Sequence, residues 1–89
     1  MDVRAEALEA FAAEGCSPPR FWENGPGDIY GPHSHGFHKV LFCLTGSITF
    51  HLEVGDVTLE AGERLDLPAG TTHAATVGPD GCSCVEASR

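Results

Sequence analysis

Cationic side chains are scarce in this chain: five Lys and Arg stand against 13 Asp and Glu, giving a net charge of −8 at neutral pH. Nucleic acids and anionic membrane surfaces are both recognised through clustered Lys and Arg, so the composition argues against either partner. Long apolar runs are missing too. No stretch approaches the roughly 18 consecutive apolar residues of a membrane-crossing helix. The opening residues, MDVRAEALEAF, have neither the basic start nor the apolar centre of a secretory leader, and a cytoplasmic protein is expected. In that compartment the four cysteines, Cys16, Cys43, Cys82 and Cys84, are not expected to pair as disulfides. Linkers, repeats and low-complexity segments are also lacking. With 89 residues the chain is one domain. At this size about 60% of the unfolded surface is buried, so the core is thin and self-association would help it.

What is present reads as a folded protein, with 42% hydrophobic and 20% charged residues. Residues 1–19 form a helix and lead-in. Asp2 can cap the helix, Val3, Ala7, Leu8 and Phe11 recur at helical spacing, and Gly15 suits a left-handed end. Residues 20–89 change character, with Gly and Pro punctuating short β-rich segments. The expected strands are Arg20–Glu23, Gly31–His35, His38–Leu44, Ser47–Val54, Asp56–Leu59, Arg64–Leu67, His73–Val77 and Ser83–Glu86. Such spacing indicates an all-β sandwich or small barrel. Thr45-Gly46-Ser47 and Val54-Gly55-Asp56 are expected to be hairpin turns. In ITFHLEV, Ile48, Phe50, Leu52 and Val54 share one face, while Thr49, His51 and Glu53 share the other.

The chemistry concentrates in residues 33–39, HSHGFHK. His33 and His35 are two apart, so on a strand both imidazoles project from one face. Neutral imidazole is a common metal ligand. His73, after the turn Pro68-Ala69-Gly70-Thr71-Thr72, is the candidate third ligand. Lys39 is an awkward neighbour, because at an effective dielectric near 20 two unit charges 4 Å apart interact by roughly 4 kcal/mol. A lysine beside a divalent ion would have to lose its proton, turn to a carboxylate or solvent, or share an anionic substrate with the metal. Strand alternation puts His38 on the face opposite Lys39, although a loop around Gly36-Phe37 would alter that phase and make His38 a substitute ligand. His51 reads as a surface histidine. Cys82-x-Cys84 reads as packing or a redox-sensitive pair rather than as zinc ligands. Tyr30, Phe37, Phe42, Phe50 and Trp22 are candidates to wall a pocket, with core packing or subunit contacts as the plainer role. Trp22 and Phe21 in particular are expected to face a partner subunit.

These residues resemble the two motifs of the cupin superfamily. Gly27, His33-Ser34-His35 and Gly46 match the first motif, and Gly62, Pro68-Ala69-Gly70 and His73 match the second. Eight of ten motif positions agree at the right spacing. Lys39 stands where the family places Glu, and Val77 where it places Asn. The resemblance implies a small cupin-type (jelly-roll) β-barrel with a short N-terminal α-helix, forming homodimers. It also implies that His33, His35 and His73 meet inside the barrel near its mouth. The expected cofactor is a divalent transition metal (Zn, Fe, Ni, Mn or Cu, among which imidazoles do not choose). The alternative is a degenerate site with no metal. The expected partner is a small-molecule ligand, probed through Lys39, Tyr30 and Cys43. Cys43 reads equally as a small buried hydrophobe in VLFCL. A dioxygenase, isomerase or lyase is one implied function. A non-catalytic metabolite- or sugar-binding cupin is the other.

Overall fold

The computed structural model describes residues 2–89. Helix α1 spans Val3–Ala13, and six strands follow: β1 (Arg20–Asn24), β2 (Ile29–His33), β3 (Lys39–Leu52), β4 (Gly55–Glu60), β5 (Arg64–Leu67) and β6 (His73–Ser88). The Asp2 carboxylate accepts the backbone N–H of Arg4, which caps α1 at its start. At its end Gly15 is left-handed (φ 68°), and the N–H groups of Gly15 and Cys16 return to the carbonyls of Ala12 and Phe11. These are the two bonds of a Schellman cap. None of the described helices is long and apolar enough to cross a membrane.

All strand pairs are antiparallel, and β3 and β6 form the spine. They pair from Lys39 opposite Ser88 to Leu52 opposite His73, with the register interrupted between Gly46–Cys82 and Ile48–Val77. At one end β1 flanks β6 and β5 flanks β3; at the other, β2 flanks β6 and β4 flanks β3. Two four-stranded layers therefore share two strands that bend from one layer into the other, which is the jelly-roll arrangement expected.

The bend corrects the sequence reading. Thr45-Gly46-Ser47 is not a hairpin, and His73–Val77 and Ser83–Glu86 are one strand rather than two. β3 continues unbroken through Gly46, with pairing shifts against β6 on both sides of it. Gly46 adopts φ 70°, and a Cβ there would stand 1.9 Å from the Gly81 carbonyl oxygen. A Cβ on Gly78 would stand 2.0 Å from Ser47 Oγ. Only glycine lets the two backbones cross this closely. The bulges also flip the side-chain phase. Leu41 and Cys43 face inward before the corner, and Ile48 and Phe50 face inward after it, as odd gives way to even numbering. The real hairpin turn is Glu53-Val54, with Leu52 opposite Gly55. Val54 is consequently 94% exposed and does not join Ile48 and Phe50.

Two apolar clusters result. The inner one gathers Leu41, Cys43, Ile48, Phe50, Leu59, Ala75, Val77, Cys82 and Cys84 between the layers. The outer one forms where α1 lays Ala7 and Phe11 on Val40, Phe42, Val85 and Ala87. Phe11 meets Phe42 edge to face at 5.6 Å, and burying one such side chain stabilises by about 2 kcal/mol. Leu8 was expected on this stripe but is exposed. The helix is pinned at its far end by Arg64, whose guanidinium donates to both Glu14 oxygens (2.6 and 2.8 Å) and to Asp66.

Candidate metal centre and ligand cavity

The inward faces of β1, β2, β3 and β6 leave a cavity of about 430 Å³ at one mouth of the barrel. Its floor is apolar, with Leu41, Ile48, Phe50 and Ala75, and its upper wall carries His33, His35 and His73. Each histidine arrives by a separate device. His33 ends β2 opposite His73, and a bulge between Tyr30 and His33 turns both of those side chains inward despite their opposite parity. His35 lies just beyond β2, so the strand Gly31–His35 in fact begins and ends two residues earlier. The turn before His73 holds the His35 segment in place, because Gly70 N–H donates to the His35 carbonyl (2.8 Å).

Nitrogens of the three imidazoles lie within 4.8 Å of one another, a grouping able to hold a metal ion. The ring centroids are 4.2 Å apart for His33 and His73, 5.0 Å for His33 and His35, and 5.4 Å for His35 and His73. His33 Nδ1 sits 2.8 Å from the Gly31 carbonyl and His73 Nδ1 3.0 Å from the Thr71 carbonyl. Each Nδ1 therefore carries the proton and donates it to the backbone. That leaves the Nε2 lone pairs free toward the cluster, as in a metal site with its outer shell already made. Burial pushes the pKa of His35 down, helped by the Lys39 ammonium and the other two rings. Burial likewise lowers His73, against the opposing hydrogen bond to Thr71. Both shifts favour the neutral ring, the form that ligates.

Lys39 points into the cavity. Its Nζ lies 3.2 Å from His35 Nε2 and 3.2 Å from Glu86 Oε2. The side chains of Lys39 and Glu86 are only 13% and 15% exposed. The other Glu86 oxygen accepts the Trp22 indole N–H at 2.7 Å. A carboxylate thus stands near the imidazoles, but it comes from β6 and is paired with the lysine.

Sequence reasoning missed Glu86 and Arg20. Neither belongs to a local motif, and both reach the cavity through register alone, Arg20 opposite Glu86 and Glu86 opposite Leu41. Trp22, one of the candidates to wall a pocket, lines the cavity, T-stacked on Tyr30 at 6.1 Å. Phe21 takes the outward phase, half-exposed beneath the Arg4 guanidinium.

The remaining candidates fall as follows. Tyr30 lines the cavity, its hydroxyl bonded to the Asn24 side chain. Phe37 and Phe50 line it as well, whereas Phe42 belongs to the outer cluster. Cys43 does not reach the cavity, which corrects its place among the ligand-binding candidates. It is fully buried one inward step beyond Leu41, with its thiol donating to the Thr45 carbonyl (3.3 Å). Cys82 and Cys84 share that core, and the Cys84 thiol is pushed up by its hydrogen bond with Cys43 and by burial. His38 turns away and pairs with Asp66 at 2.9 Å. His51 bridges Asp56 and Thr76 on the outer face.

Comparison with known proteins agrees with this architecture. The family described as AraC-like ligand binding domain matches residues 20–85. Acireductone dioxygenase 1 of Nocardia farcinica is 39% identical over 51 residues, which is 53% of this chain and 27% of that protein. The chain therefore spans about a quarter of this curated relative. Among solved structures, a cupin-2 domain protein of Shewanella frigidimarina superposes with a TM-score of 0.67 at 19% identity, covering 80% of this chain and 69% of that one. A chain from the structures of the DMSP lyases RdDddP and RnDddQII superposes with a TM-score of 0.69 at 32% identity, covering 80% of this chain and 36% of that one.

Proposed function

Because the chain belongs to the family of AraC-like ligand binding domains and folds as a cupin barrel, we propose that it binds a divalent transition metal through His33, His35 and His73 and a small anionic molecule in the adjoining cavity. The convergence of three imidazoles on an open cavity carries this reading. The donor set suits the ion: two rings are fixed in the ligating tautomer, and burial favours the neutral form of His35 and His73. A metal held there would supply Lewis-acid polarisation of an oxygen or an activated water. Lys39 would bind the anionic group, and the apolar floor of Leu41, Ile48 and Phe50 would keep water from its other end. Similarity to an acireductone dioxygenase and to DMSP lyases supports a catalytic use of such a metal, as a dioxygenase, isomerase or lyase on a small substrate.

One observation favours a second reading, a metal-free binding module. Lys39 already occupies Nε2 of His35. Elemental analysis of protein purified without nickel resin, followed by zinc and iron titration, separates the two. The first reading expects about one equivalent bound and its loss in His33→Ala. Less than about 0.1 equivalent with no uptake on titration would overturn it in favour of the second. A thermal-shift screen of small carboxylates, thiols and sugars then identifies the ligand class under either reading.

A further inference from the structure

The charges around the imidazoles have a definite order. Trp22 holds Glu86, Glu86 holds Lys39, and Lys39 donates to His35 Nε2. An Nε2 lone pair engaged by an ammonium is not available to a metal. The ammonium is nearly buried and fixed on two sides, so it does not leave the site by swinging into solvent. Among the described residues Glu86 is the sole acid lining the cavity, against two cations, Lys39 and Arg20. Arg20 makes no ion pair among the described residues. Arg20, Lys39 and Glu86 together give the lining one net positive charge, and a metal would add two more. The site therefore lacks an anion whenever it holds a metal, and Glu86 beside Lys39 disfavours a dianion.

We infer that Lys39 is a latch on the metal site, opened by a small monocarboxylate, so that the metal and the carboxylate bind cooperatively. The carboxylate draws the ammonium off His35 and offsets the repulsion between lysine and metal. Arg20 provides the second contact, because its planar guanidinium matches the two oxygens of a carboxylate. The coupling is reciprocal: the metal tightens the carboxylate by the same factor as the carboxylate tightens the metal. This inference rests on the metal site proposed above.

The test is zinc affinity by calorimetry, in chloride and in acetate at matched ionic strength, for the wild type and for Lys39→Met. Acetate should tighten zinc binding to the wild type by about tenfold or more, the size of one charge-assisted hydrogen bond. Lys39→Met should bind zinc about tenfold or more tightly in chloride alone, with no further gain from acetate. Lys39→Met leaves Glu86 unpaired, so Lys39→Met/Glu86→Gln serves as a second variant with the same expectation. Equal zinc affinity in wild type and variants, or no effect of acetate on the wild type, would overturn the latch while leaving the metal site intact. Absence of zinc binding in the wild type and in a folded Lys39 variant would overturn the metal site itself, and the latch with it.

Discussion

Glu86→Gln is the most direct perturbation of the cavity. The substituted amide can still accept the Trp22 indole N–H, so that 2.7 Å bond is retained and only the charge is lost. Lys39 is left with a neutral acceptor, His35 Nε2, at a site where its side chain is 13% exposed. Removing one member of a fully buried ion pair costs about 3–5 kcal/mol. This pair borders an open cavity that admits water, which lowers the expected cost to about 2 kcal/mol. For a domain of this size that corresponds to a Tm about 8–16 °C below the wild type. Thermal melts followed by circular dichroism in chelator measure the shift free of metal. Lys39→Met/Glu86→Gln should recover most of the loss, because an apolar side chain replaces the unpaired ammonium. A Glu86→Gln protein melting within about 2 °C of wild type would refute the reasoning. Losses that simply add in the double variant would do the same.

Three further outcomes follow from other parts of the molecule. Gly46→Ala should destabilise by more than about 3 kcal/mol, combining left-handed strain with a backbone clash at Gly81, whereas Gly36→Ala, with nothing within 4 Å, should melt near wild type; comparable melts would remove the corner from the account. Asp66 is held down to about 2 first by its hydrogen bonds from Arg64, opposed by burial and helped by His38. A lowered carboxylate contributes stability that is present above its ordinary pKa and is lost as pH falls through about 4 to about 2. After allowance for solvent screening the loss is about 1 kcal/mol, and it should be absent from the acid melts of Arg64→Met. Finally, Cys16 is half-buried while Cys43, Cys82 and Cys84 are buried, so a thiol reagent should modify one cysteine quickly and three only on unfolding; a second fast thiol would contradict the packing of the inner cluster.

The residues that made the imidazole cluster legible in the sequence are those whose placement is local. His33 and His35 are set by one strand end, and His73 by the turn at Pro68-Ala69-Gly70. Helix α1 was equally legible, because Asp2 and Gly15 mark its ends chemically. What escaped was non-local. Glu86 and Arg20 enter the cavity only through the pairing of β1 with β6, which no short motif encodes. Gly46 reads as a turn residue on its own, and only the approach of Gly81 makes it a crossing point inside one long strand. The same bulges change the inward phase, so alternation counted from one half of β3 misassigns the other. Val54 shows the limit of the pattern as well, since a valine at the tip of a two-residue hairpin follows the turn rather than the face.

The arrangement of β6 also governs how the molecule comes together. β1, β2 and β3 all pair with it, and all three precede it in the chain. Only the β3–β4 hairpin and the β3–β5 ladder can form from segments already made; the others wait as open edges. Loop closure between Arg20 and Glu86 spans most of the polypeptide, a topology of high contact order and correspondingly slow folding. Until β6 arrives, the cavity has neither His73 nor Glu86, and Lys39 has no acid to meet. The three-imidazole cluster is therefore a late product of folding, and a ligand that binds it can pull on the final step of assembly by mass action.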